Sequence, residues 1–508
     1  MKYLSDAAHF PGGHASGVVV PRATTEIPDI VRSATTILPI GAQSSLTGGA
    51  TPMGELVLST EKLTRVIDVS QSTITVEAGV SIAAMQETLA AHGAWFPPAP
   101  TWTGAFAGGV VATNAAGAAT FKYGPVRPWV EGLTVVLADG QSLDIARGRK
   151  RAHGRSLRVS SARGPVDVPI PTYEMPHVPK RSAGYHAEPN MDLIDLFIGS
   201  EGTLGVITTV TFRVLSPAPT IALALVPCVS ETEALALVSD LRRASAETWR
   251  TKDDEGLDVS AIEHMDRRCL EILREDGADR KSGVSLPSAA ELVLLVQLEL
   301  PAGSTDATAF DQIASALSSN ATGGLVRFCR ILDEHGLLDQ TEIALPGNIR
   351  RMEQLIALRE AVPAGVNQRV GRAQHDIDGR IATTAADMIV PFERFGEMMS
   401  VYRDGFGARG LDFAVWGHIS DGNVHPNVLP RSYEDVERGK EAIMEFGREV
   451  VRLGGCPLAE HGVGRNLVKQ ALLRKLYGDA GIEQMRAVKR ALDPDWKMAP
   501  GVIFPPQN

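Results

Sequence analysis

Between Phe96 and Gly124 the chain reads FPPAPTWTGAFAGGVVATNAAGAATFKYG, a run dense in Gly, Ala and Thr whose only charge is Lys122. Such a stretch can lie close against a flat, largely apolar ligand and offer backbone hydrogen bonds to its edge atoms. Two further small-residue segments flank it. PIGAQSSLTGG (39–49) directly follows the strand-like ATTILPI. Its successive amides, with the hydroxyls of Ser44, Ser45 and Thr47, can cradle a diphosphate. LFIGSEGTLGVIT (196–208) is a small-residue turn entering a strand. Each alone reads as a tight turn; three in one region imply a large cofactor. The loop 39–49 is neither GxGxxG nor GxxxxGK[ST], so it supports neither a Rossmann nicotinamide site nor a P-loop.

Around these segments, TTILPIGAQ, LVLST, RVIDVS, TITVEAG, LTVVLADGQSLDI and LGVITTVTFRVL are rich in Val, Ile and Thr and read as strands. SIAAMQETLAAHG places Ile82, Met85, Leu89 and Ala90 at helical spacing and stops at Gly93. The fold class is α+β. Basic RGRKRAHGRSLRVSS and the Pro-rich stretch after it make 147–185 an extended surface insertion. SPAPT (216–220) reads as a linker to a second α+β domain containing TEALALVSDLRRAS, ELVLLVQLEL and DATAFDQIASALSSN. A helix in GKEAIMEFGREVVRLGG and a last one in QMRAVKRAL precede the terminal Pro/Gly turn. With 508 residues, 44% apolar and 22% charged, the chain has material for two or three cores. A net charge of −10 argues against nucleic-acid binding. Cys228, Cys269, Cys329 and Cys456 are widely spaced and read as reduced thiols, consistent with a cytoplasmic location. No signal pattern and no apolar run of ~20 residues is present. Membrane association would run through a partner.

Two segments bear ligand-type side chains. In WGHISDGNVHPNV (416–428), His418 and His425 flank the turn SDGN, and two strand ends joined by it can face both imidazoles inward. LAEHGVG (458–464) adds Glu460 and His461. Two histidines and a carboxylate form a metal set with open positions. Neutral imidazoles need outer acceptors, for which Asp421 is the candidate.

The ordered series PIGAQSSLTGG, AGGVVATNAAG, YGPVRPWVEGLTVVLADG, GYH…LFIGSEGTLGVIT, GHISDGNVHPNV, AEHGVG and APGVIF resembles the vanillyl-alcohol-oxidase/PCMH flavoprotein superfamily, and within it the D-lactate dehydrogenase, D-2-hydroxyglutarate dehydrogenase and glycolate oxidase flavoprotein-subunit group. The resemblance covers nearly the whole chain. It implies a two-lobed PCMH-type FAD-binding domain at 1–217, an α+β substrate (cap) domain of the FAD-linked oxidase C-terminal type at 218–457, and a segment 458–508 returning to the FAD domain. It puts Pro39, Gly41, Ala42, Gln43, Ser44, Ser45, Leu46, Thr47 and Gly48 on the pyrophosphate loop. Gly108, Gly109, Thr113, Asn114 and Gly117, then Tyr123 and Gly124, fall on the second flavin element. Glu201, Gly202, Gly205, Val206 and Ile207 fall on the third. His418, His425 and Glu460 match metal-ligand positions for Zn, Mn or Fe, and His461 the base. Arg359 and Asn427 match substrate-binding positions. Ala42 and Gln43 stand where relatives carry more glycine. No His or Cys occupies a covalent-flavin position, which implies non-covalent FAD. Ala385 replaces the lysine of hydroxyglutarate-type members.

The implied reaction is oxidation of a small D-2-hydroxy acid to the 2-oxo acid. Arg359 clamps the carboxylate, the metal polarises the hydroxyl, His461 takes its proton and flavin N5 takes the hydride. With no haem or iron–sulfur spacing, electrons pass to an external acceptor: quinone, cytochrome c, an electron-transfer flavoprotein or a partner subunit. Homodimer formation stays open. Competing readings are an aryl or phenolic alcohol oxidase, a non-redox alkyldihydroxyacetone-phosphate synthase on the same scaffold, and a metal-dependent hydrolase without flavin.

Overall fold

A computed structural model describes residues 2–98 and 100–505. The chain divides into two compact units, one of Met1–Gly117, Gly124–Ser216 and Val450–Asn508, the other of Ala118–Tyr123 and Pro217–Glu449.

The first unit holds two sheets and a hairpin among its described residues. A three-stranded parallel sheet orders β1 (Gly17–Val19), β3 (Leu56–Ser59) and β2 (Ile37–Ile40). A five-stranded antiparallel sheet runs β4 (Val66–Val69), β5 (Thr73–Glu77), β10 (Val206–Arg213), β6 (Val130–Val136) and β7 (Ser142–Ala146). Ile37, Leu58, Val136 and Val206 fill the core of this lobe with Ile27, Val31 and Met498. The helix Ile82–Ala90 forms where the spacing predicts it. Ser81 Oγ accepts from the Ala84 amide as its N-cap, Ile82, Met85 and Leu89 are buried, and Gly93 turns the chain at φ +66°.

The stretch 147–185 departs from the extended surface insertion expected of it. It forms a hairpin of β8 (Ser156–Ser161) and β9 (Gly164–Pro169), and Leu157, Val159 and Val168 are fully buried. A strap follows it in which Tyr173 stacks on Tyr477 at 4.1 Å and the Thr172 amide donates to Gln484, both on the helix Leu467–Leu492. The basic residues hid an ordinary alternation of apolar Leu157 and Val159.

The second unit is built on a seven-stranded antiparallel sheet: β14 (Glu342–Ala344), β11 (Thr220–Cys228), β13 (Leu292–Leu300), β12 (Val259–Asp266), β16 (Phe413–His418), β17 (Asn423–Val428) and β15 (Met388–Ile389). The helix Ile349–Asp376 contributes Leu355, Leu358, Val362, Val366, Val370 and Ala373 to its core, a 3-4 spacing that runs through Pro363.

The hexapeptide 118–123 belongs to this second unit although it lies inside the segment expected to be FAD-binding domain. Lys122 Nζ sits 2.6 Å from carboxylates of both Asp258 and Glu299, and the Phe121 ring packs on Trp249. These ties outweigh sequence proximity. Residues 450–457 group with the first unit, not the second. All four cysteines are buried thiols, and burial pushes Cys228 up to about 12 and Cys329 to about 11. Among the described residues, no helix is long and apolar enough to cross a membrane.

Candidate active-site elements

In the first unit the loop after β2 is shaped by its own side chains. Gln43 adopts φ +56°, and its Nε2 donates to the carbonyls of Tyr3, Ser5 and Ala50 at 3.1–3.2 Å. Gln43 thus staples the loop to the N-terminal segment, which accounts for a long polar side chain among small ones. Ser45 Oγ accepts from the amides of Thr47 and Gly49. The hydroxyls of Ser45 and Thr47, expected to face a diphosphate, lie 3.2 Å from each other, and Thr47 is buried.

Gly41 and Gly109 lie side by side: a Cβ on Gly41 would sit 3.9 Å from the Gly109 Cα. A Cβ on Gly109 would meet nothing within 4 Å, whereas one on Gly108 would lie 2.7 Å from the Ala78 Cβ. Gly108 therefore serves close packing and Gly109 borders open space. This glycine-lined wall fits a flat cofactor. Thr113 Oγ1 donates to the Gly109 carbonyl, and Asn114, at φ +49°, accepts the Arg127 amide. Gly202 packs on Pro39, Gly205 on Val135, and the Val206 side chain enters the core. The Tyr123 hydroxyl donates to Glu299 at 2.5 Å within the second unit.

The segment 459–465 is clamped onto the same unit. Ser182 donates its amide to the Ala459 carbonyl, Arg465 donates its amide to Thr47 O, and the Arg465 guanidinium bonds Glu55, Thr51 O and Pro500 O. Glu201 accepts the amides of Val463 and Gly464, one on each oxygen, both at 2.8 Å. The Glu201 carboxylate thereby supports the turn that carries His461. Glu460 Oε2 lies 2.8 Å from Lys180 Nζ, both side chains buried, and its Oε1 lies 3.5 Å from His461 Nε2. Lys180 was hidden in the Pro-rich strap, and a lysine buried to 1% exposure is the feature that marks it.

Burial pushes the Glu201 carboxyl up to about 7, against the two amides that favour its charged form. The ionised form is thus disfavoured on folding, and Glu201 contributes stability present below the ordinary carboxylate value and lost as pH rises to about 7. Thermal melts of wild type and Glu201→Gln between pH 4.5 and 8 should show the variant losing less stability over that window. Parallel pH profiles would contradict this.

In the second unit, β16 and β17 are joined by the turn 419–421, with Trp416 opposite His425 and His418 opposite Asn423. The two imidazoles meet edge to face, centroids 5.7 Å apart. Gly422 closes the turn at φ +85°, where a Cβ would stand 2.1 Å from the Val390 carbonyl. Arg242, held between the Phe121 and Phe392 rings, donates to the Ser420 carbonyl, and Ile262 N donates to Ser420 Oγ.

The carboxylate of Asp421, the acceptor expected for these histidines, accepts the Asn423 amide within the turn. Glu263 lies 2.6 Å from His418 Nδ1, and Asp387 lies 3.6 Å from His425 Nδ1. Glu263 holds His418 by Nδ1 and so points its Nε2 away as a ligand atom, while Asp387 lies beyond hydrogen-bond distance of His425 Nδ1. This donor chemistry fits a divalent ion. Arg359, on the helix Ile349–Asp376, is also bound to Glu263, through Nε at 2.9 Å and Nη2 at 2.8 Å. Burial raises the Glu263 pKa, but the Arg359 charge and the His418 contact outweigh it and hold the carboxylate well below the usual range. Asn427 Nδ2 donates to the His425 carbonyl, fixing the strand that carries the ligand.

Residues 15–146 match the FAD binding domain family and residues 230–503 match the family of FAD linked oxidases, C-terminal domain. Glycolate oxidase subunit GlcD of Bacillus subtilis (strain 168) is 28% identical over 99% of this chain and 92% of its own length. D-lactate dehydrogenase of Archaeoglobus fulgidus is 26% identical over 96% and 90%. D-2-hydroxyglutarate dehydrogenase of Xanthomonas citri pv. viticola is 28% identical over 96% and 89%. Among solved structures, an alkyldihydroxyacetonephosphate synthase shares the fold at a TM-score of 0.57 and 14% identity, over 95% of this chain and 76% of that one. The FAD-binding match removes the hydrolase reading without flavin. The chain therefore belongs to the FAD-linked oxidases, an FAD-dependent oxidoreductase of the D-lactate/2-hydroxyacid dehydrogenase-like family with a PCMH-type FAD-binding domain and an α+β C-terminal domain.

Proposed function

We propose that the protein oxidises a small D-2-hydroxy acid to the 2-oxo acid with non-covalently held FAD and one divalent ion, and passes the electrons to an external acceptor. The observation that carries this reading is the edge-to-face pair His418 and His425, with His418 held at Nδ1 by buried Glu263 and Asp387 3.6 Å from His425, on a chain whose relatives are named for glycolate, D-lactate and D-2-hydroxyglutarate. His418, His425 and Glu460 are the assigned ligands; Asp387 and His461 have the same ligand chemistry. The segments 39–48, 108–117 and 201–207, with Tyr123 and Gly124, are the assigned FAD cradle. When bound, FAD supplies a hydride acceptor and the metal a Lewis acid.

The chain's own residues do the rest. Glu263 occupies the Nε–Nη2 edge of Arg359, so the substrate carboxylate takes the Nη1–Nη2 edge, a second bidentate face of the same guanidinium. Asn427 orients the substrate beside His425. His461 receives the hydroxyl proton on Nε2. Glu201 and Ser182 keep its turn in place by holding the backbone on either side.

An anaerobic titration tests the reading. The purified protein should show a bound-flavin spectrum that one D-2-hydroxy acid bleaches, the L-enantiomer does not, and a chelator abolishes. A bound flavin reduced by none of a panel of such acids would overturn the substrate assignment. Reduction that survives complete metal removal would overturn the metal.

A further inference from the structure

Glu263 stands opposite His418 in the antiparallel pairing of β12 with β16, so both side chains project from one face of the sheet. Glu263 is buried, 6% exposed, and divides its carboxylate oxygens. Oε1 lies 2.6 Å from His418 Nδ1, while Oε2 takes Nε and Nη2 of Arg359 at 2.9 and 2.8 Å. A carboxylate only accepts, and a guanidinium only donates.

We propose that Glu263 is a positioning residue that sets the metal ligand and the substrate anchor together: Oε1 holds His418 as the Nδ1–H tautomer with Nε2 as the donor atom, and Oε2 fixes the Arg359 plane. The inference rests on the proposed metal site for its first half and on the proposed carboxylate anchor for its second. It assigns the two parts of the site to one side chain, so loss of that side chain weakens both.

The geometry dictates the informative substitution. Glutamine has one carbonyl oxygen and one amide NH2 where glutamate has two acceptors. In Glu263→Gln the NH2 must face either His418 or Arg359. Facing His418, it donates to Nδ1 and drives the proton to Nε2, removing that ligand. Facing Arg359, it opposes a donor with a donor and releases the guanidinium. Aspartate keeps two acceptors on a shorter stem.

The test uses the full-length, metal-stripped protein labelled with 15N-histidine. Long-range 1H–15N spectra read the tautomer of His418, whose signal is identified by its loss in His418→Gln. Wild type should show Nδ1–H. Zn²⁺ affinity, measured by chelator competition on the same metal-free protein, should fall about 10–100-fold in Glu263→Gln. Binding of a 2-oxo acid should weaken in the same variant, and Glu263→Asp should recover part of both. A wild-type His418 in the Nε2–H form overturns the proposal, and this holds even if Glu263→Gln fails to fold. Unchanged Zn²⁺ and 2-oxo-acid affinities in a folded Glu263→Gln overturn it as well. A wild type that binds no divalent ion overturns the metal reading and, with it, the first half. The tautomer and the 2-oxo-acid measurement still decide whether Glu263 orders His418 and Arg359.

Discussion

Replacing His461 by alanine is expected to slow anaerobic flavin reduction by a 2-hydroxy acid ~10²–10⁴-fold while FAD content stays near that of wild type. The separation follows from how the residue is held. The backbone of its turn is fixed by Glu201 on Val463 and Gly464 and by Ser182 on Ala459, none of which uses the imidazole. The side chain is 24% exposed, so its removal opens space without emptying a core. A general base that acts only as the hydroxyl proton leaves is missed in the rate more than in binding. Stopped-flow reduction under saturating substrate isolates this step from reoxidation. A His461→Ala protein that reduces its flavin at the wild-type rate would sink the base assignment. A protein purified without FAD would reassign His461 to the cofactor.

The second large effect concerns Lys180. Its side chain is completely buried and lies 2.8 Å from a Glu460 carboxylate that is 8% exposed. Removing one partner of a buried ion pair costs ~3–5 kcal/mol because the other charge loses its compensation. Lys180→Met keeps the apolar stem and deletes the charge. The metal-free variant is expected to melt well below the metal-free wild type. If Glu460 is a metal ligand, a divalent cation supplies positive charge to the same carboxylate, so added Zn²⁺ or Mn²⁺ should raise the melting temperature of the variant more than that of wild type. Calorimetry of both proteins, with and without metal, reads this directly. Equal melting temperatures for the metal-free pair would remove the role given to the lysine, and equal metal increments would separate Glu460 from the metal.

The parts of the site that could be read in advance are those coded by neighbours in the chain. Gly422 closes a turn between two histidines seven residues apart, and the turn places both rings together because an antiparallel pair of strands has a fixed register. Strands β2, β3, β5, β6 and β10 announce themselves by Val, Ile and Thr content for similar local reasons. The supporting carboxylates are a different case. Glu263 meets Arg359 and His418 across separations of 96 and 155 residues, and Glu201 reaches Val463 across 262. Asp421 was the natural acceptor to name because it is near in sequence, yet its geometry closes an Asx-type turn on Asn423. A signal for Glu263 did exist: a carboxylate inside VSAIEHMD, a strand otherwise built for burial. The Tyr123 hydroxyl is a further case, since its bond to Glu299 spans 176 residues and leaves no trace in the local sequence.

The discontinuity of the first unit bears on how the protein is made. Strand β2, which launches the loop at 41–49, pairs with β3 on one side. On the other, Ile37 exchanges backbone hydrogen bonds with the segment at 497–499, its amide donating to Lys497 and its carbonyl accepting from Ala499. Arg465 and the helix Leu467–Leu492 belong to the same late segment. A ribosome delivers the whole second unit before any of these residues. The nascent chain therefore carries the open edge of β2 in an unfinished first unit throughout synthesis of some 230 residues. Premature release during that interval would yield a second unit with its own completed sheet next to a first unit unable to close, a species suited to aggregation and to capture by chaperones rather than to cofactor loading.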